Sequence, residues 1–183
     1  MNDCPLRAPF FAPRMPPELA ALWDHLQQQD QAERLQLAFG LHCVRRVQHL
    51  LEAPAAVTAV TVLELYLSQR IDRPTLTAAA HGLKKLAQQL EQPSPADGSP
   101  PCPAATVAAT HAVACAVLGE AQQAAQHAAR AQQLACQDSE ARARQVLESE
   151  RDWQNRTLHH LLGQPPPGAT RAPPQPQQHP RRP

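Results

Sequence analysis

Apolar positions along this chain recur at the three- and four-residue spacing of helices. The strongest pattern lies at 33–52, ERLQLAFGLHCVRRVQHLLE. On a helical wheel Leu37, Phe39, Gly40, Leu41, Cys43, Val44, Val47, Leu50 and Leu51 fall in one arc. It covers roughly 200° of the circumference, about twice the apolar stripe of an ordinary surface helix. So wide a face needs more than one covering neighbour, so the segment belongs inside a layer of helices. Ala38, His42, Arg45, Arg46 and His49 form the remaining narrow strip, the side expected to meet solvent or a partner. Asp30, three residues before Glu33, has the spacing of a capping box with Asp in place of Ser or Thr, and predicts the helix start.

The same reading predicts six further helices. Pro17 suits the first turn of a helix at 17–28, whose Leu19, Leu22, Trp23 and Leu26 share a face for docking. Pro54 opens 54–69, where Val57, Val60, Leu63, Tyr66 and Leu67 line much of the wheel. The β-branched run there also suits a strand, but length and the lack of a partner strand favour helix. Residues 74–92 carry a stripe of Leu76, Ala80, Leu83, Leu86 and Leu90 opposite a wet face of Lys84, Lys85, Gln88 and Gln89. The stretch 93–103 is too rich in proline to continue a helix and reads as a loop between two helical halves. Around the helix at 104–118 only Thr106, Thr110 and His111 interrupt an apolar surface, so it is expected to be buried on nearly every side. Gly119 offers a C-cap. The helix at 120–136 is spaced with alanines that permit close approach, and Asp138 or Ser139 caps the last helix, 139–162. Residues 1–16 read as an extended, proline-punctuated arm. The tail 164–183, with eight prolines in twenty residues, reads as disordered. The expectation is therefore an all-α domain at 17–163, a compact bundle of six to seven short, mostly antiparallel helices.

Composition supports this and narrows the chemistry. Aromatic residues make up 3% of the 183 positions, so the core must come from Leu, Val and Ala packed at short range. A formal net charge of +1 argues against a dedicated nucleic-acid binder. The five cysteines, at 4, 43, 102, 115 and 136, form no CxxC pair and read as reduced thiols. There is no apolar run of signal-peptide or bilayer-spanning length, so a cytoplasmic protein that does not enter the membrane is expected.

Three polar residues fall on apolar faces. Glu64 lies between Val57, Val60 and Leu67; Glu150 lies among Val146, Leu147, Trp153 and Leu161; His111 stands on the most apolar helix. A buried carboxylate needs a donor or a proton. The plain expectation is a buried polar network of Glu64, His111 and Glu150, with His111 donating to one of the carboxylates. The alternative is a metal or acid–base site in the bundle that also draws on Cys115, one turn from His111. No Glu-x-x-His of the di-iron type occurs, and no second Cys/His pair has zinc-ligand spacing. There is no Gly-x-Ser-x-Gly elbow, phosphate loop or dinucleotide fingerprint, so neither catalytic residues nor a cofactor are expected. Candidate partner-binding residues are His42, Arg45 and His49 on the strip and Asp152 on the charged face of the last helix. The PxxP at 173–176 leaves open an adaptor that recruits through its tail.

Three segments together resemble the all-helical, immunity-five-like family of immunity proteins from bacterial polymorphic-toxin systems. They are RLQLAFGLHCVRRV from Arg34 to Val47 with the following Leu-Leu-Glu; ATHAVACA from Ala109 to Ala116; and Glu150, Trp153, Gln154 and Leu158 on the last helix. The chain departs from the family pattern in its short turn after Glu52 and its loop at 93–103. The resemblance implies a small cytoplasmic protein that binds and neutralises a cognate toxin without catalysis of its own.

Overall fold

The computed structural model describes residues 17–91, 102–136 and 139–163. The expected arm, tail and most of the proline-rich loop lie outside them. Among the described residues the chain is all-α, with seven helices: α1 Pro17–Gln27, α2 Ala32–Val47, α3 Pro54–Leu67, α4 Arg73–Glu91, α5 Ala104–Leu118, α6 Ala121–Ala135 and α7 Glu140–Leu161. The helices α2 and α5 form the inner pair, with α6 against both. On one side α3 and α4 cover α5; on the other α7 lies on α6 and α2, and α1 packs on α2. The wide apolar arc of α2 is thus divided among several neighbours.

Residue size explains how closely the inner helices meet. Where α2 crosses α5, a Cβ built on Gly40 would stand 3.0 Å from Ala116 Cβ and 3.1 Å from its Cα. Contact at that distance requires glycine on one side and alanine on the other. On α6 the buried side chains are Ala121, Ala124, Ala125, Ala128, Ala129 and Ala131, which let it lie flat on α5. Of the buried threonines on α5, Thr110 is satisfied locally, its Oγ1 donating to the Thr106 carbonyl at 2.9 Å, and Thr106 Oγ1 donates to Glu52 Oε1 at 3.5 Å. The satellite helix α1 docks through Trp23, whose ring meets Phe39 edge to face at 5.2 Å.

Local chemistry sets most boundaries. Pro54 begins α3 after an extended Ala53, and Ser139 Oγ accepts from the Arg142 amide at 3.2 Å to cap α7. Gly119, at φ 82°, closes α5 as a Schellman motif: its N–H bonds the Ala116 carbonyl and that of Glu120 bonds Cys115. Two expectations are corrected. The helix predicted at 33–52 stops at Val47, passes through a 3-10 turn at Gln48–Leu50 and is extended at Leu51. The chain must leave the helical region before Pro54, and the tighter turn begins that exit. Nor does Asp30 cap α2. The N-cap is Gln31 with no side-chain bond, the Ala32 amide is taken by the Gln29 carbonyl, and Glu33 is drawn away into an ion pair with Arg73 of α4.

Candidate functional site

The polar residues singled out in the sequence come to three separate places. Glu150, on the inward face of α7, has a side chain 0% exposed. Its Oε2 accepts from Arg46 Nε of α2 at 2.6 Å and from Gln132 Nε2 of α6 at 2.8 Å. Its Oε1 accepts from Gln154 Nε2 at 3.3 Å, and that amide also donates to the Ala125 carbonyl at 3.1 Å. One buried carboxylate therefore ties α2, α6 and α7 together, its charge met by a guanidinium and two amides. Burial pushes the neighbouring Cys43 thiol far above its ordinary range; Glu150 adds to the rise and Arg46 opposes it.

Arg46 is the surface end of this network. Its side chain is 34% exposed, and its guanidinium lies 4.5 Å over the ring of Trp153, one turn from Glu150 on α7. This corrects the expectation of an open cationic strip on α2. The helix α7 lies along it, Arg46 turns inward and His42 is half-buried, while Arg45 and His49 stay exposed. Burial first, then the charges of Arg45 and His160, hold His42 below the ordinary imidazole value. Of the strip, Arg46 and His42 thus face α7, through Glu150 and His160, while Arg45 turns to Glu64 of α3. Asp152 stands exposed beside Trp153, its backbone carbonyl accepting from Arg156 Nε at 3.3 Å.

Glu64 is not buried. It is 39% exposed and pairs with Arg45, whose Nη2 and Nε reach its Oε1 at 2.8 and 3.1 Å. Its wheel position is flanked by apolar residues, but α3 buries only Ala56, Ala59, Val60 and Leu63, leaving Glu64 at the margin. His111 donates to neither carboxylate. Its Nε2 lies 2.9 Å from Glu91 Oε1 of α4, within ion-pair distance but not aligned as a hydrogen bond, and its ring stacks on His127 of α6. A single network of Glu64, His111 and Glu150 does not form. Among the described residues no three His, Cys, Asp or Glu side chains are grouped so as to hold a metal ion. No helix among them is long and apolar enough to cross a membrane.

Arg46, Gln132 and Gln154 are the members of the Glu150 site that sequence reasoning missed. Gln154 carried a signal, since it lies four residues after Glu150 on the same face. Arg46 and Gln132 carried none, because their role depends on where α7 docks. In comparisons with protein-family models, with curated proteins and with solved structures, nothing matches this chain.

Proposed function

We propose that the chain is an immunity protein that binds a cognate toxin and blocks it without catalysing a reaction, and that the surface where α7 meets α2 is its binding face. The observation that carries the binding face is the Arg46–Trp153 pair. Arginine and tryptophan dominate the energetics of protein interfaces when they are held rigid at the centre of a contact. Here the guanidinium is fixed from below by a fully buried carboxylate and from the side by the indole. His42, one turn before Arg46, and Asp152, beside Trp153, flank the pair with polar side chains, and Arg45 and His49 are exposed next along the chain. The class of partner comes from the sequence resemblance, whose first and third segments lie on α2 and α7, the two helices that carry the pair.

The test is genetic and then biochemical. The gene beside this one should encode a large secreted protein with a variable C-terminal domain, and expressing that domain alone should kill cells. Co-expression of this chain should rescue them, and the purified pair should form a complex that Trp153→Ala weakens at least tenfold. Absence of rescue by a folded, soluble product overturns the immunity reading. Rescue that survives Trp153→Ala with undiminished affinity moves the binding face elsewhere.

A further inference from the structure

Two imidazoles meet face to face where α4, α5 and α6 join. The turn at Gly119 folds α5 and α6 back on one another, and His111 and His127 stand eight residues before and eight after it, at the same height. Their ring centroids are 5.1 Å apart with planes 20° from parallel. Glu91, the last residue of α4, brings its Oε1 to 2.9 Å from His111 Nε2. The His111 side chain is only 20% exposed, whereas Glu91 reaches well into solvent.

The charges that could act on this pair come from α4 and α6. From α4 there is Glu91; Lys84 acts on Cys115, one turn further along α5, as does Glu120 at the end of the turn. From α6, Arg130 follows His127 but bends to Gln133, donating to its Oε1 at 2.9 Å. Glu91 is thus the counter-charge closest to the stack. A single positive charge on the stack can be met by Glu91, which lies against His111 and ties α4 to α5. A second proton, on His127, sets two like charges face to face in a half-buried site where one exposed carboxylate serves both.

We propose that the His111–His127 stack is an acid-sensitive fastener, holding α6 and the end of α4 to α5 while at most one ring is protonated and yielding when both are. The proposal stands apart from the toxin-binding reading, since the stack involves neither α2 nor α7. Burial, then the His111 charge, depress the His127 pKa, while Glu91 pulls it up. For a depressed histidine the folded state favours the neutral ring. Its contribution to stability is whole above the unfolded value of about 6.5 and is lost as pH falls from there through the lowered folded value.

Titrating the histidine ring protons of the full chain by NMR, together with urea unfolding at about pH 7.5 and about pH 5.5, tests this. The His127 midpoint should lie below about 6.5, rise in His111→Gln and fall further in Glu91→Gln. Movement in the same direction in both variants, or none in either, overturns the proposal. Between the two pH values the folding constant of the wild-type chain should drop at least about threefold more than that of His127→Gln. An equal drop overturns it. Because His42 is also depressed, His42→Gln serves as the reference and should retain the stack's share of the loss. If His127→Gln does not fold, the opposite movements of the His127 midpoint in His111→Gln and Glu91→Gln keep the test decisive.

Discussion

At the scale of single residues, the consequences of the Glu150 site follow from an asymmetry in burial. Glu150 has no route to water, whereas Arg46 is partly solvated. Removing the guanidinium leaves a buried carboxylate with two amide donors, and breaking a buried pair in this way costs about 3–5 kcal/mol. Removing the charge from Glu150 leaves an arginine that water can serve, and the amide of Gln still offers an acceptor, so the loss is nearer ~1–3 kcal/mol. Arg46→Met is therefore expected to lower urea stability more than Glu150→Gln, and the double variant should recover part of the Arg46→Met loss. Equal losses, or a reversed order, would show that the pair is not the support the geometry implies. Much of this site was hidden from the sequence. A helical wheel identifies Glu150 as facing the core, but not which neighbour brings the donor. The same limit misassigned His111 to a carboxylate it does not meet and placed Arg46 in an open strip that α7 partly covers.

At the scale of elements, the same substitution should change sign with its setting. Gly82 on α4 has nothing within 4 Å of a built Cβ, so Gly82→Ala should gain about 0.5–1 kcal/mol from helix propensity and chain entropy. At Gly40 that gain meets the Ala116 backbone at 3.1 Å, and overpacking of about 1–3 kcal/mol exceeds it. Gly40→Ala should lower the melting temperature where Gly82→Ala raises it, and two shifts of the same sign would refute the close α2–α5 crossing. The end of α3 gives a second case. Gln69 sits at φ 59° as the left-handed residue of a Schellman motif, with the Arg70 amide bonded to the Leu65 carbonyl at 2.9 Å. A side chain there costs ~1–2 kcal/mol, so Gln69→Gly should stabilise by up to about 1 kcal/mol after its own entropy loss. Urea midpoints of the variant and the wild-type chain measure it, and destabilisation would contradict the observed backbone. Boundaries carried by one residue's own chemistry, such as Pro54, Gly119 and Ser139, were legible in the sequence. Those settled by competition were not. Glu33 could not both complete a capping box and pair with Arg73, and nothing local says that the ion pair wins. Gln69 is not a residue type that announces a left-handed cap.

For the whole molecule, the question is whether the inner helices open separately or together. Composition already pointed to a core of Leu, Val and Ala. The wheel of α5 pointed to burial on nearly every side, which ten buried residues between Thr106 and Val117 realise. What no pattern could supply is that α2, α5 and α6 share one continuous core, with Cys43 and Cys115 inside it and Cys102 and Cys136 at its margins. Burial raises the Cys115 pKa to about 12, and Cys43 lies far above its ordinary range for the same leading reason. Alkylation needs a thiolate in contact with solvent, so both inner thiols should react only through opening of the core. Among the four described cysteines, mass spectrometry of the folded chain under alkylating conditions should find Cys136 and Cys102 modified first. Cys102 should lag, because burial and then Glu52 raise its pKa. Cys43 and Cys115 should then follow together, their rates rising with urea along one curve that matches global unfolding. If Cys115 reacts well ahead of Cys43, α5 opens without α2 and the shared core is two units. If both keep step, the Gly40–Ala116 contact and the Glu150 site belong to one cooperative structure, and changes at either should shift the labelling of both thiols equally.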